Sequence, residues 1–379
     1  MAINTTRQWS ALALLLAPVV ALAAPHYTVT PIGSIGGASG DLNDINNAGQ
    51  IVGYALSGAN TVNAYLSVDG VSTNLHPAGA SASYAAGIND AGLIAGYVTT
   101  ATGTHAVTFS GGGVSSLGTL DGSSGDSFSA AINAAGQVAG TAHLSDNTTQ
   151  RAFLYTPGGG MSSLGTLGGL NSVGNDINQA GSVAGHADVS GGSYHAYTYA
   201  NGVMSDLGTL GGNYSSATAL NDQGLVTGFA YTAGDSYAHS FLYQNGAMSD
   251  LHTLGGQNSY GMGINNLGQV VGRSELLGGG STHAFLYANG SMTDLNSLVD
   301  PGFEYVLRYA ADINDAGQIA ALGCNVSGTF CQGFMLTLAP VPEPETWILM
   351  GFGGVLVGLA ARRQRRFIRQ ARRPAADKD

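Results

Sequence analysis

The sequence predicts an all-β fold, a seven-bladed β-propeller of four-stranded blades. The first observation is a nine-residue stretch, INNAGQIVG at residues 45–53, which occurs in seven close copies at steps of 43 to 49 residues. The second is that the residues between the copies form short runs with strand-like alternation and no helical period. A period of about 20 to 50 residues indicates a repeat architecture. Four antiparallel strands in each period are typical of a propeller blade.

The repeated stretch has the chemistry of a hairpin turn followed by the strand that it feeds. Its second residue is Asn in every copy, and this side chain can hydrogen-bond the backbone ahead of it. Its fifth residue is Gly in every copy, and Gly adopts positive φ without steric cost. The sequence therefore predicts seven hairpins, which begin at Ile45, Ile88, Ile132, Ile177, Leu220, Ile264 and Ile313.

One repeat unit contains four strand-like runs, and residues 212–256 show them most clearly. The runs are SSATAL, LVTGFA, HSFLY and AMSDLHTL. The Asn-Gly pair in YQNG at 243–246 predicts a tight hairpin between the third and fourth runs. The first run is built of small residues, as expected for strands that crowd the axis of a propeller. An open β-solenoid is the alternative, but its ends would need capping units that the sequence does not show.

The phase of the repeats predicts how the ring closes. Residues 27–32, YTVTPI, align with the fourth run of a unit, whereas residues 333–338, GFMLTL, align with the third. The last blade therefore lacks a fourth strand, and the N-terminal segment supplies it by antiparallel pairing. Pro31 fits an outermost strand, where its missing N–H donor can face outward.

Composition divides the chain into three parts. Residues 1–23 have Arg7 followed by an apolar run that ends in small residues, which predicts a secretory signal peptide cleaved after Ala23. Residues 24–339 are the repeat domain. Residues 340–379 contain an apolar segment at 347–361 and a basic tail at 362–373.

Charge is distributed unevenly between these parts. The repeat domain contains 19 acidic residues and three arginines, which gives it a formal charge of −16. Such a surface repels nucleic acid and anionic lipid, so nucleic acid is excluded as a partner and the basic tail is not a nucleic-acid patch.

Three motifs recur in the repeat domain: INxxGQVVG, LGTLGG and a His-Ala-Phe triplet, which occurs as His283-Ala284-Phe285. In these motifs the repeat domain resembles the HAF-repeat proteins, exported bacterial proteins named for the triplet. The resemblance covers nearly all of residues 27–338. Degenerate copies such as RAFLY from Arg151 and QGFML from Gln332 indicate that the triplet is a strand motif. The resemblance implies an exported location more than a particular activity.

The C-terminal part begins with the four residues Val341, Pro342, Glu343 and Pro344, which precede the apolar segment and the basic end. In this three-part order it is similar to a PEP-CTERM sorting signal. The apolar segment is short for a span of about 20 residues, but flanking arginines can snorkel, and the positive end should stay cytoplasmic. The resemblance implies processing by an exosortase in bacteria that make exopolysaccharide, after transient anchoring in the membrane. A permanent C-terminal anchor is the alternative.

Cys324 and Cys331 are the two cysteines of the chain, and they flank the loop NVSGTF. Export permits oxidation, and the spacing suits a disulfide across the ends of a hairpin loop. A metal site would need further ligands nearby, so the sequence predicts a disulfide there and no metal.

Other motifs that could carry chemistry have structural explanations. One repeat position holds histidine in four blades, which predicts packing or a strand-end hydrogen bond: His105, His195, His239 and His283. Gly-Asp-Ser at 125–127 and 234–236 is reminiscent of an esterase nucleophile motif, but both copies fall in loops of the repeat. LGTLGG precedes no helix and is not a phosphate loop. The turns lack the ligand order of a calcium loop.

One region departs from the repeat. Arg273 and Glu275 follow the sixth turn, and the 49-residue step before the seventh contains Glu304 and Arg308. Because functional sites are where a repeat rule is violated, these four residues are the binding candidates. An ion-paired, longer loop is the alternative.

Two function classes remain. The first is a non-enzymatic, exported surface or matrix protein that binds a glycan or a protein in an exopolysaccharide context. The second is a secreted propeller enzyme that acts on polysaccharide, which would need charged residues from several blades near the axis. The sequence shows no set of acid, base and nucleophile and calls for no cofactor, so the first class is favoured.

Overall fold

A computed structural model describes residues 26–33, 40–57, 61–120, 122 and 125–339. The described residues contain 28 β-strands in seven four-stranded antiparallel sheets, which confirms the predicted seven-bladed propeller. The predicted signal peptide and the predicted C-terminal sorting helix lie outside the described residues. Within those residues, no helix has the length and apolar character needed to cross a membrane.

The strands follow the chain in blade order, and β1 is Tyr27–Pro31. Blade 1 comprises β2 (Gly40–Ile45), β3 (Ile51–Leu56), β4 (Val62–Val68) and β5 (Val71–Asn74). Blade 2 comprises β6 (Ala82–Ile88), β7 (Ile94–Thr100), β8 (Gly103–Ser110) and β9 (Gly113–Ser116). Blade 3 comprises β10 (Ser127–Ile132), β11 (Val138–His143), β12 (Gln150–Thr156) and β13 (Gly160–Ser163). Blade 4 comprises β14 (Gly168–Ile177), β15 (Val183–Val189), β16 (Tyr194–Ala200) and β17 (Val203–Asp206).

Blade 5 comprises β18 (Gly211–Leu220), β19 (Val226–Thr232), β20 (Ala238–Gln244) and β21 (Ala247–Asp250). Blade 6 comprises β22 (Gly255–Ile264), β23 (Val270–Leu276), β24 (Thr282–Ala288) and β25 (Ser291–Asp294). Blade 7 comprises β26 (Tyr305–Ile313), β27 (Ile319–Asn325), β28 (Cys331–Leu338) and β1. The fourth strands are shorter than the predicted run AMSDLHTL, and a 3-10 turn at Leu295–Leu298 follows the last of them.

The first and last strands of the repeat domain close the ring as predicted. β1 pairs antiparallel with β28, and the register places Tyr27 opposite Leu338 and Pro31 opposite Phe334. Tyr27 keeps 2% of its surface exposed and packs in the same core cluster as Phe334. The closing strand is therefore part of the core of blade 7.

The first strand of each blade is the innermost. Each of these strands contacts the first strand of both neighbouring blades, and the contacts run around the full ring. Each also has a β-bulge just before the repeated turn, as between Leu42 and Asp44 in blade 1. A bulge bends the strand and increases its twist, which lets seven strands converge at one end of the axis.

The ninth residue of the repeated stretch packs directly against its neighbours. In blade 6 this residue is Gly272, which lies opposite Phe285 of the His-Ala-Phe triplet. A Cβ atom on Gly272 would lie 2.0 Å from the Tyr260 carbonyl oxygen and 3.0 Å from the Phe285 ring. Ala284 and Phe285 are fully buried. The triplet is thus a core strand whose aromatic ring needs Gly on the facing strand.

The two kinds of turn have the predicted backbone. The motif glycines have φ between 73° and 78°, as at Gly49 and Gly181. Between the third and fourth strands, both residues of the Asn-Gly pair have positive φ, 53° for Asn245 and 81° for Gly246. Two successive positive φ values define the type I′ turn that matches the twist of a hairpin.

Candidate functional site

The second residues of the seven turns form a closed ring around the axis. The Nδ2 of each Asn donates to the main-chain carbonyl of the corresponding Asn in the next blade, at 2.9 to 3.2 Å. Its members, here called the Asn ring, are Asn46, Asn89, Asn133, Asn178, Asn221, Asn265 and Asn314. The last link runs from Asn314 back to Asn46 and joins blade 7 to blade 1.

The same side chains also hold their own turns. The Oδ1 of Asn221 accepts from the backbone N–H of Gln223 at 3.1 Å and of Leu225 at 2.9 Å. This is the hydrogen bond to the backbone ahead that the sequence predicts. The Asn ring is buried, so each side chain offers its partners bonds that water does not replace.

A second, exposed ring surrounds the Asn ring, and its members are the third residues of the turns. In it the backbone N–H of one blade donates to the side chain of the next, as from Asn266 to Asp315 at 2.8 Å and from Asp315 to Asn47 at 2.9 Å. We call it the rim ring; it consists of Asn47, Asp90, Ala134, Gln179, Asp222, Asn266 and Asp315. Ala134 has no polar side chain, so the link from Asp90 to blade 3 is missing.

Three carboxyl groups lie on the axis just inside the Asn ring. They precede the turns of blades 1, 4 and 7 and belong to Asp44, Asp176 and Asp312, where the other blades have Gly or Ala. The Oδ2 of Asp176 accepts from the Leu220 N–H of the next blade at 2.7 Å, and that of Asp44 accepts from the Ile88 N–H at 2.7 Å. Asp44 and Asp176 line one cavity together with the turn residues.

Enclosure by the seven strands changes the acidity of these groups. Desolvation raises the pKa of Asp176 to about 7, and the charges of Asp44 and Asp222 add to the effect. Asp44 and Asp312 lie on adjacent blades and hydrogen-bond each other. Burial and the Asp44 charge raise the pKa of Asp312 well above its usual range. Two carboxyl groups that bond each other must share a proton.

Half-buried aromatic rings lie on the first and second strands of the blades, and in blade 4 also on the third strand, toward the end of the axis opposite the turns. From blade 1 to blade 3, ring centroids follow one another at 4.6 to 5.8 Å through Tyr54, Tyr84, Tyr97, Phe128 and His143. From blade 4 to blade 5 they follow at 5.0 to 5.8 Å through His186, Tyr194, Tyr214 and Tyr231. Phe229 and Tyr260 are 5.3 Å apart and extend the set to blade 6. We call these eleven residues the aromatic belt.

Polar groups accompany the belt. The Tyr54 hydroxyl donates to Asp41 at 3.2 Å, and the Arg273 guanidinium lies 4.8 Å from the centre of the Tyr260 ring. Burial raises the pKa of both Tyr54 and Tyr97 to about 12, so their hydroxyls stay protonated. The belt thus combines apolar ring faces with hydrogen-bond donors and acceptors, as ligand sites commonly do.

The histidines of the repeat have a polar partner in three blades. Nδ1 of His195, His239 and His283 lies 2.7 to 2.8 Å from the Oδ2 of Asp206, Asp250 and Asp294 respectively. Each aspartate lies 11 residues after its histidine at the end of the fourth strand. The predicted strand-end hydrogen bond is therefore present in blades 4, 5 and 6.

The four binding candidates from the sequence have different surroundings. Glu275 accepts from the Asn258 side chain at 3.0 Å, and this bond is the main cause of its lowered pKa. Arg308 donates to the Ser281 hydroxyl at 2.8 Å, and Glu304 is exposed before β26. The Arg273 guanidinium lies beside the Tyr260 ring of the aromatic belt. Among the described residues, no ion pair joins any two of the four, so the ion-paired loop is not found.

Two further sequence features have structural roles. Ser127 of the first Gly-Asp-Ser is fully buried, and its hydroxyl accepts from the Ala106 N–H at 2.9 Å. Cys324 and Cys331 lie opposite each other on β27 and β28 and are joined by a disulfide. A thiol assay of the unfolded, unreduced protein should find no free thiol.

Sequence comparison assigns the C-terminal segment. The family model of the PEP-CTERM protein-sorting motif matches residues 340–366. The chain therefore carries this sorting motif, which indicates an exported protein with a transient membrane anchor. The four predicted signal residues, Val341 to Pro344, lie within the match but outside the described residues. No curated protein matches the chain in sequence.

Several solved structures are similar to the chain at low identity. A puromycin-hydrolyzing peptidase of Mycobacterium tuberculosis aligns with 85% of this chain at 13% identity and a TM-score of 0.47, and the chain spans 57% of that protein's length. A gluconolactonase of Xanthomonas campestris aligns with 82% of this chain and 99% of its own, at 13% identity and a TM-score of 0.39. A variant of AofleA from Arthrobotrys oligospora aligns over 72% and 90% of the two chains, at 10% identity and a TM-score of 0.40.

Proposed function

We propose that this protein is a non-enzymatic binding module of the cell surface or extracellular matrix, and that its aromatic belt binds glycan chains. The observation that carries the proposal is the belt itself, eleven half-buried rings contributed by six blades. The export signal and the resemblance to HAF-repeat proteins agree with an exopolysaccharide context. In this proposal residues 1–23 are removed, residues 24–339 are exported, and residues 340–379 are the sorting segment.

Aromatic rings suit sugars because of their charge distribution. The face of the ring is negative, and the C–H bonds of a pyranose face are weakly positive, so the two stack with little loss of side-chain freedom. The Tyr97 hydroxyl, the Asp41 carboxyl and the Arg273 guanidinium can bond sugar hydroxyls beside the stacked face. Rings that follow one another over several blades would contact successive sugars of a chain.

The alternative is a secreted propeller enzyme that acts on polysaccharide. The observation in its favour is the axial pair of Asp44 and Asp312, because paired carboxyl groups of unequal acidity can supply a general acid and a base. Against it, Asp44 already accepts the backbone N–H of Ile88, and Asp312 bonds Asp44. A catalytic role would require substrate to reach the axial cavity.

The test measures binding and cleavage on the same samples. Protein purified from cells that express the full chain is applied to a glycan array and, separately, to exopolysaccharides with release of reducing ends as the readout. We expect glycan binding without release. In the double variant Tyr84→Ala and Tyr260→Ala, affinity should fall at least about fivefold, because stacked rings contribute about 0.5 to 1.5 kcal/mol each beyond their burial.

Tyr237→Ala is the matched control, since Tyr237 is an exposed tyrosine outside the belt; its affinity should stay within about twofold of the wild type. Melting curves of all variants would show that each is folded. Release of reducing ends that Asp312→Asn abolishes would establish the enzyme instead. Absence of both activities, or equal loss in the belt variant and the control, would refute the glycan-binding proposal.

An exosortase is the proposed processing partner, and the sorting motif supports it. In a host that has this enzyme, mass spectrometry of the exported protein should find a C-terminus near Val341-Pro342-Glu343-Pro344. In a host without the enzyme, the chain should extend to Asp379. A chain that still ends at Asp379 in the first host would favour a permanent anchor.

A further inference from the structure

Blade 5 differs from its neighbours by one side chain beside the histidine–aspartate pair. His239 and Asp250 form the pair that blades 4 and 6 also have. In blade 5 the second residue after the aspartate is His252, whereas blade 4 has Gly208 and blade 6 has Asn296 at that position. His252 Nδ1 lies 3.4 Å from the Oδ2 of Asp250. Two imidazoles therefore face one carboxylate oxygen.

The three residues have the composition and spacing of a metal site. Nitrogen or oxygen atoms of His239, Asp250 and His252 all lie within 4.8 Å of one another, and within the described part of the chain no other group of three or more such residues does. In tetrahedral zinc sites, bond lengths of about 2.0 to 2.2 Å place ligand atoms roughly 3.3 Å apart. The distance between Asp250 and His252 matches this value, and the shorter one from Asp250 to His239 needs a shift of about 0.5 Å.

The backbone already orients the carboxylate. The N–H of His252 donates to the Oδ1 of Asp250 at 2.7 Å, which leaves the Oδ2 directed toward the two imidazoles. The Ser259 hydroxyl donates to the His252 carbonyl at 2.5 Å and fixes the turn. Hydrogen bonds that hold a ligating carboxylate in place are typical second partners of metal ligands.

His252 also occupies a backbone conformation that favours glycine. Its φ is 62°, where Gly118, Gly165 and Gly208 of the three preceding blades have 75° to 85°. A non-glycine residue in this region costs roughly 1 kcal/mol or more, and such strain is concentrated at functional sites. Its side chain is 80% exposed, so core packing does not explain the histidine.

We propose that His239, Asp250 and His252 bind one divalent transition-metal ion, zinc in the first place, on the surface of blade 5. Two imidazoles and one carboxylate are ligands of zinc and of copper(II) or nickel(II) rather than of calcium or magnesium. The exposure of His252 leaves a fourth coordination position for water or for an oxygen of a bound partner. This site goes beyond the proposed glycan function and does not depend on it.

Zinc and cobalt(II) are the probes. Untagged protein from cells that express the full chain is titrated with zinc by calorimetry, and with cobalt(II) by visible absorption, which reports four- or five-coordinate geometry. We expect one ion per chain. His252→Gly restores the residue of blade 4 and relieves the positive φ, so it should fold at least as well as the wild type, while zinc affinity falls at least about tenfold. His239→Ser should have the same effect.

The neighbouring blade supplies both a control and a gain of function. His195→Ser removes the corresponding pair member from blade 4 and should leave zinc binding unchanged. Gly208→His adds the missing ligand beside His195 and Asp206 and should create a second site, so that two ions bind per chain. The proposal is overturned if the wild type binds no zinc at 100-fold excess, or if His252→Gly binds zinc as tightly as the wild type. It is also overturned if His195→Ser weakens zinc binding as much as His239→Ser does.

Discussion

The two ends of the propeller axis differ in how closely the seven blades resemble one another in residue identity. At the turn end, all seven blades place the same side chain in the same bond, and the Asn ring closes without a gap. At the opposite end, the corresponding positions of the first strands hold aspartate, tyrosine, phenylalanine, valine or serine, and many of them are half exposed. The buried hydrogen bonds that hold the blades together are the same in all seven blades. The residues of the surface that can contact a ligand differ from blade to blade. We therefore expect substitutions at the turn end to change stability and those at the belt to change binding.

Opening the ring should lower the melting temperature more than any other change, because it disrupts the contacts between blades at the turn end all at once. Deletion of residues 25–33 removes β1 and with it Tyr27 and Ile32, which are both almost fully buried. The Asn ring would then join seven blades of which one is incomplete. We expect the melting temperature to fall by at least about 10 °C in a single transition, since burial of two such side chains and a strand pairing is lost together.

Differential scanning calorimetry provides the measurement. Thr30→Ala, which removes an exposed side chain of β1 and keeps the strand, is the control and should leave the melting temperature nearly unchanged. Two separate transitions, or an unchanged melting temperature after the deletion, would show that the ring does not unfold as one unit.

A single member of the Asn ring should have the next largest effect. Asn221→Ala removes the bond from Nδ2 to the Asn265 carbonyl and leaves the N–H groups of Gln223 and Leu225 without their acceptor. The Asn265 carbonyl still accepts from the Gly268 N–H and Gln223 is exposed, so the half-buried N–H of Leu225 is the main group left unsatisfied. An unsatisfied group of this kind costs about 1 to 3 kcal/mol, so the free energy of unfolding should fall by about 2 to 3 kcal/mol. Urea unfolding measures it.

The adjacent residue is the matched control for that substitution. Asp222→Ala removes a member of the exposed rim ring, and blade 3 already tolerates alanine at the corresponding Ala134. The expected loss is below about 1 kcal/mol. Equal losses at Asn221 and Asp222 would contradict the distinction between the buried ring and the rim.

Features that follow from a local pattern or from the repeat could be predicted from the sequence, and individual bonds between residues far apart in the sequence could not. The hairpins, the closing strand and its partner follow from local turn chemistry and from counting strands in each repeat. The sequence also indicates that Asn46 bonds the backbone ahead of it. Its second bond, to Asn89, joins residues 43 positions apart, and no local pattern contains it. The 3-10 turn at Leu295–Leu298 likewise replaces the LGTLGG link of other blades without a periodic signal.

The candidate site was less predictable for a related reason. Arg273, Glu275, Glu304 and Arg308 stand out in the sequence because arginine and glutamate are rare in the repeat domain. The rarity of a residue type does not show which side chains the fold brings together. Asp44 and Asp312 come together only because blade 7 closes against blade 1. A comparison of the residue before each turn would have found three aspartates among small residues, and this is the signal that the sequence offered.

Acidity of the axial carboxyl group is the third way to test the turn end. Because the pKa of Asp176 is raised to about 7, the folded protein keeps this proton between about pH 4 and pH 7 while the unfolded chain loses it. The free energy of unfolding therefore falls as pH rises through this range, by at most about 4 kcal/mol for a shift of roughly three pH units. Asp176→Asn mimics the protonated group.

Urea unfolding at pH 5 and pH 8 measures this contribution. The variant should be more stable than the wild type at both pH values, and its advantage should be larger at pH 8, because the wild type loses stability from about pH 4 upward. Asp69→Asn, which removes one charge from an exposed outer turn, is the control. A wild-type protein that gains stability between pH 5 and pH 8 relative to Asp176→Asn would contradict the assignment.

Completion of the rim ring should have the smallest effect, and in the opposite direction. Ala134 leaves the Asp90 N–H without the side-chain acceptor that the corresponding Asp222 N–H finds in Asn266 at 2.9 Å. In Ala134→Asn, the new Oδ1 can accept from Asp90, and the new Nδ2 can donate to the Asp90 carboxylate as Asn266 does to Asp222 at 3.1 Å. Because these bonds are exposed, the gain should be about 0.5 kcal/mol, a rise of roughly 1 to 2 °C in melting temperature. Ala135→Asn, one residue along the same exposed turn, should give no rise. A gain as large as the loss in Asn221→Ala would mean that the rim, and not the buried Asn ring, holds the blades together at this end.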